Sequence, residues 1–136
     1  MQRHFLYLPF ALQIFGVMAI SMIVPSIYAL VTEQFFEARM FFYTGLLGVT
    51  FLALIGLARS NQTTRETALD QMLSLALIFV FLPVFLAIPE YSVIRTTSFL
   101  NAYLDMVSAL TTTGFEVFPA SRLSDSVHLW RALVGW

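Results

Sequence analysis

The sequence predicts an all-α integral membrane protein, and three observations carry that prediction. Of 136 residues, 59% are hydrophobic and only 11% are charged, too few charges to cover the surface of a soluble domain of this size. The charges are also unevenly spread, since Phe5 to Thr32, Met40 to Ala58 and Gln71 to Pro89 contain none. An apolar run of roughly 18 or more residues, rising about 1.5 Å per residue, crosses a ~30 Å hydrocarbon core. In lipid the backbone polar groups must be satisfied within their own segment, so these runs are predicted as helices rather than open strands. A buried helix in a large soluble core would explain one such run. Three in so short a chain leave too little polar sequence to cover them.

The first span covers about Phe5 to Val31 and holds Pro9 and Pro25. Pro25 cannot donate to the Ser21 carbonyl, which predicts a bend there. The opening Met1-Gln2-Arg3-His4 precedes an apolar run much longer than the core of a signal peptide, with no clear small-residue cleavage site at its end. It is therefore read as a retained first helix. A short polar link, Thr32 to Arg39, leads into the second span, about Met40 to Ala58, where Gly45, Gly48 and Gly56 permit close helix contact without forming a GxxxG pair. Arg59 to Asp70 is the clearest loop. Within it Thr64 or Thr67 is a candidate cap for the next helix, and Asn61-Gln62-Thr63 matches a glycosylation triplet too common by chance to carry weight. The third span runs from about Gln71 to Ile88, with Pro83 inside it and Pro89 just past it.

The pattern then changes. Glu90 to Asn101 is mixed and partly polar, and Ala102 to Leu110 is a short helical pattern with one carboxylate, Asp105. It runs into Thr111-Thr112-Thr113-Gly114-Phe115, then a polar link from Glu116 to Asp125, then a helix start at Ser126 to Trp136. Phe99 to Phe115 is too short and too polar to span as an ordinary helix. Because the last helix stops on Trp136 with no polar end or cap, the chain is expected to be a fragment or truncated product.

Half-helix, TTTGF, extended polar segment and new helix together form the layout of a re-entrant pore helix with a filter loop. Irregular backbone is tolerated at membrane depth where protein or a water-filled cavity surrounds it. Potassium selectivity filters use that exception, with carbonyl oxygens replacing the water shell of the ion. Glycine suits a site where successive carbonyls point the same way, and the half-helix presents its negative end to the cation. On this reading the carbonyls of Thr111, Thr112, Thr113 and Gly114 face the ion, with potassium at Thr112 and Thr113. Phe115 packs the filter against its surroundings, and Asp105 supports it by hydrogen bonds. A Thr-rich turn between two helices is the plainer reading of the same string.

Tyr103 to Phe115 (YLDMVSALTTTGF) resembles the first pore loop of bacterial Trk-type potassium uptake proteins. Trp130-Arg131-Ala132-Leu133-Val134-Gly135-Trp136 resembles the Trp-Arg start of the helix that follows that loop. The resemblance covers essentially the whole chain. It implies an N-terminal two-helix extension and cytoplasmic loop over residues 1–69, and a first helix–pore loop–helix repeat over 70–136, truncated in its last helix. Aligned with the TVGYG of tetrameric potassium channels, Thr112-Thr113-Gly114-Phe115-Glu116 keeps the first Thr and the first Gly. Glu116 replaces the second Gly, which implies a less constrained filter and weaker discrimination among monovalent cations. The resemblance further implies a multi-pass protein of the bacterial cytoplasmic (inner) membrane, a homodimer, and a cytoplasmic nucleotide-binding regulatory partner. Potassium is then substrate, and no cofactor is expected.

The implied topology puts the N-terminus in the cytoplasm, with Arg3, Arg59 and Arg65 inside and Arg39, Arg95, Arg122 and Arg131 at or beyond the outer face. Simple positive-inside counting does not favour that arrangement. It also sets Glu90, Glu116 and Asp125 near the outer mouth, where carboxylates raise local cation concentration and Arg95 and Arg122 partly offset them; solvated loop charges are the simpler account. His4 and His128 read as interfacial. A net charge of −1 offers nothing to nucleic acid, and the absence of Cys excludes disulfides and thiolate metal sites. The spans hold no paired ionisable groups, which argues against a membrane enzyme. The competing function is a non-transporting membrane anchor or assembly module, with TTTGF a mere turn.

Overall fold

In the computed structural model, which describes residues 10–59, 61 and 67–136, the first span is two helices. These are α1 (Phe10–Ser21) and α2 (Ile23–Val31), interrupted at Met22. The break follows from Pro25, which has no N–H for the Ser21 carbonyl. The backbone ladder resumes with Ser26 N–H donating to Met22 O at 3.2 Å, while the Ser21 hydroxyl turns to Met18 O at 2.8 Å. Phe5 to Pro9 of the predicted span lie outside the described residues, as do Thr64 and part of the glycosylation triplet.

After a tight turn α3 (Phe35–Arg59) runs back against the first pair, fastened at its start by the buried Ser26 hydroxyl donating to Ala38 O at 2.8 Å. Small residues set the spacing. A Cβ on Gly48 would stand 2.9 Å from Ala19 Cβ and 2.5 Å from Phe85 Cζ, so α1 and α4 (Ala68–Ile94) both reach van der Waals contact with α3 only because that side chain is missing. Thr67 caps α4: its hydroxyl accepts from Asp70 N–H at 3.3 Å while the Asp70 carboxylate accepts from Thr67 N–H at 3.0 Å.

The third span is longer than its apolar run suggested. Helix α4 does not end before Pro89 but continues through Pro83 and Pro89 to Ile94. Each proline removes one rung at the carbonyl four residues back and crowds it. The carbonyl three residues back, next to the one that loses its rung, takes a side-chain donor from a neighbouring helix in each case. For Pro83 that carbonyl is Val80 O, and it accepts from the Tyr103 hydroxyl at 3.1 Å. For Pro89 it is Leu86 O, and it accepts from Trp130 Nε1–H at 3.2 Å. Side chains on α5 and α6 thus tie down α4 beside each interruption.

Helix α5 (Phe99–Leu110) folds back on α4 after a short turn, and an irregular segment with one 3-10 turn (Ala120–Arg122) leads to α6 (Asp125–Gly135). Helix α6 packs against α2 and α5. Trp130 is completely buried at the centre and meets the buried Phe41 ring edge-on, centroids 5.9 Å apart. One core therefore joins α1 and α3 to α6, from Ala19 to Val134. Three segments, Phe10–Val31, Phe35–Arg59 and Ala68–Ile94, are long and apolar enough to span a membrane. Large apolar side chains on all three point outward, among them Val17, Leu47 and Phe81, the inverse of a surface made for water. The described residues are all-helical, and these three segments mark the chain as a membrane protein.

Candidate functional site

The TTTGF segment begins at a defined helix end. Thr112 N–H donates to Ala109 O at 3.1 Å and Thr113 N–H to Ser108 O at 3.0 Å, the paired bonds of a Schellman motif that close α5. Such a motif needs a left-handed residue, usually Gly, after the cap. Here it is Thr112, with φ +53°. A β-branched side chain in that region is strained. Its hydroxyl lies 2.7 Å from Thr111 O, and the hydroxyls of Thr111 and Thr113 lie 2.7 Å apart. Gly114 is also left-handed, at φ +74°, but a Cβ there would meet nothing within 4 Å. Its glycine is therefore a matter of backbone conformation and not of space.

Thr111 to Glu116 are all exposed on the outside of the chain. The Phe115 ring is 64% exposed, uncovered by the rest of this chain, while its backbone is held from below by the Ser108 hydroxyl donating to Phe115 O at 2.8 Å. Sequence reasoning had not singled out Ser108. Asp105, one turn earlier on α5, is completely buried and accepts from Val117 N–H at 3.4 Å through Oδ1.

Beneath the loop the structure departs from sequence expectation. Glu90 is not a charge at an outer mouth: it is completely buried, because α4 continues past Pro89 and carries it inward. Its carboxyl faces Asp105 from α5 and Arg131 from α6. Arg131 is also drawn inward: its side chain is only 19% exposed and Nε lies 2.7 Å from Asp105 Oδ2. The contact is ionic by distance, without hydrogen-bond alignment, so Arg131 Nε, Asp105 Oδ2 and both Glu90 oxygens have no hydrogen-bond partner. The premise that the spans carry no paired ionisable group therefore fails at the end of α4.

The far side of the loop is pinned separately. Arg122 donates to the Thr96 hydroxyl at 2.7 Å, and the Arg95 guanidinium lies 4.1 Å from the centre of the Phe36 ring. Glu37, in the first turn of α3, accepts from the hydroxyls of Ser124 and Ser126, which brings a carboxylate to the positive end of α6. His128 Nε2 lies 3.1 Å from Ala120 O. Among the described residues no group of three or more His, Cys, Asp or Glu side chains suits a metal ion. Comparison with protein-family models, curated proteins and solved structures finds no match to this chain.

Proposed function

We propose that Thr111 to Gly114 line a potassium pathway in a Trk-type uptake protein, the four backbone carbonyls replacing water around the ion. The observation that carries the reading is Thr112 at φ +53°. A β-branched residue held in left-handed backbone, where glycine would be relaxed, is a conformation maintained against its own preference, and such residues cluster at functional sites. Two features support it. Gly114 keeps a left-handed angle with open space around it. Ser108 and Asp105 hold the backbone of Phe115 and Val117 from behind, leaving the residues between them facing outward. In this proposal Phe115 supports the filter and Glu116 stands at its outer mouth. A place in a bacterial inner membrane, a homodimer and a nucleotide-binding partner belong to the proposal through the sequence resemblance alone.

The test is potassium uptake in a bacterium stripped of its own importers, carrying the polypeptide that contains this chain. Gly114→Ser is expected to abolish uptake or its selectivity, and the 136-residue chain by itself is expected to conduct nothing. Unchanged transport by the variant would refute the filter assignment.

One observation favours the anchor reading. The Schellman bonds also suffice for a plain turn between two helices. A polypeptide that supports no uptake yet still delivers a fused domain to the membrane would decide for it.

A further inference from the structure

Three helices meet beneath the loop, and each contributes one charged side chain: Glu90 from α4, Asp105 from α5 and Arg131 from α6. Glu90 and Asp105 are completely buried. Fully ionised, the trio is two carboxylates against one guanidinium, an excess negative charge in an apolar interior. That arrangement costs far more than folding normally leaves uncompensated. Among the described residues no other charge is placed to balance it. Helix α1 has no ionisable side chain, Glu37 faces Ser124 and Ser126, and Arg39 turns to Phe35 O. Arg59 lies at the far end of α3, near the start of α4 rather than the Glu90 end.

The orphaned atoms show what is missing. Both oxygens of Glu90, and Oδ2 of Asp105, accept nothing. Three adjacent acceptors without a donor are incompatible with two carboxylates in contact, but a single hydrogen between them removes both the charge excess and the missing donor. We infer that Glu90 and Asp105 form a buried proton-binding site, with one proton carried on Glu90 and donated to the Asp105 carboxylate. Asp105 keeps its charge for Arg131 and for Val117 N–H. The proton comes from water and returns to it, with no other bond made or broken.

The site is mechanically attached to the loop. Asp105 holds Val117 N–H, and Ser108, one turn further along α5, holds Phe115 O. Loss of the proton sets like charges against each other across the α4–α5 contact and pushes α5, with the loop it carries, away from α4. The inference rests on the buried trio alone and stands whether or not an ion passes the loop.

Infrared spectroscopy of the purified chain in detergent or lipid nanodiscs tests it. At neutral pH the spectrum should contain one protonated-carboxyl stretch that moves on carboxyl-13C glutamate labelling and is absent from Glu90→Gln. Because glutamine mimics the protonated acid, that variant should unfold at the wild-type midpoint and lose the pH dependence of the midpoint. Asp105→Asn should unfold earlier, because it removes the negative charge that faces Arg131 and turns one carboxylate oxygen into a donor. Should Glu90→Gln fail to fold, the labelled wild-type spectrum still decides. No protonated band at neutral pH, a band insensitive to glutamate labelling, or one retained in Glu90→Gln would overturn the inference. A band that vanishes on adding potassium or sodium chloride would overturn it in favour of a metal-cation site.

Discussion

Trp130→Phe tests whether α6 sustains the proline-interrupted span. The indole N–H donates to Leu86 O, at 3.2 Å and buried, beside the Phe85 carbonyl that Pro89 leaves without its rung. Phenylalanine keeps an aromatic ring in the core and its edge-on approach to Phe41 but brings no donor. Within the helix Leu86 O remains the acceptor four residues back from Glu90, so the loss is of one added buried hydrogen bond, about 0.5–1.5 kcal/mol. The smaller ring adds roughly 1 kcal/mol of lost packing. The expected total is about 1.5–2.5 kcal/mol.

The assay is equilibrium unfolding in mixed micelles by titration with sodium dodecyl sulfate, followed by circular dichroism because the substitution alters the tryptophan signal. Trp130→Phe within about 0.5 kcal/mol of wild type would refute the reasoning.

Two further substitutions follow from close geometry. Gly48→Ala places a methyl 2.5 Å from Phe85 Cζ and 2.9 Å from Ala19 Cβ, and should destabilise the chain by about 1–3 kcal/mol in the same titration; an unchanged midpoint would mean that α1, α3 and α4 are not so tightly spaced. Thr112→Gly relieves a left-handed residue at φ +53°. Relief of about 1–2 kcal/mol, offset by roughly 0.5–1 kcal/mol of added chain freedom, leaves a net gain of about 0.5–1 kcal/mol. Under the proposed function that gain should come with impaired potassium uptake. A loss of stability would show that the strain argument has the wrong sign.

Much of the fold was legible because lipid leaves few alternatives. Three uncharged runs mean three spans, Pro25 means a bend near Ser21, and Thr64 or Thr67 before an apolar run means a cap. The end of α4 was not legible by the same logic. A proline at the edge of an apolar run, followed at once by Glu90, reads as a boundary when the segment is taken alone. The helix continues against partners that arrive from elsewhere in the chain, Tyr103 and Trp130, which no property of Gln71 to Pro89 reveals.

The charged cluster was missed for the same reason, and a sharper rule could have found it. Ile78, Leu82, Leu86 and Glu90 follow one another at four-residue steps, and all four are buried on one face of α4. A carboxylate that continues an apolar stripe is either outside the helix or deep within the protein. The choice depends on a partner of opposite charge elsewhere. In α6 the buried Val127, Trp130 and Val134 mark the inward face, and Arg131 stands beside it, one turn beyond Val127. Read together, the two stripes bring Glu90 and Arg131 toward one interior, with Asp105 on the short helix between them. The loop motif draws attention to the residues that face outward. The carboxyls behind it decide whether that loop keeps its shape, and their excess charge is the reason to expect that its shape responds to protons.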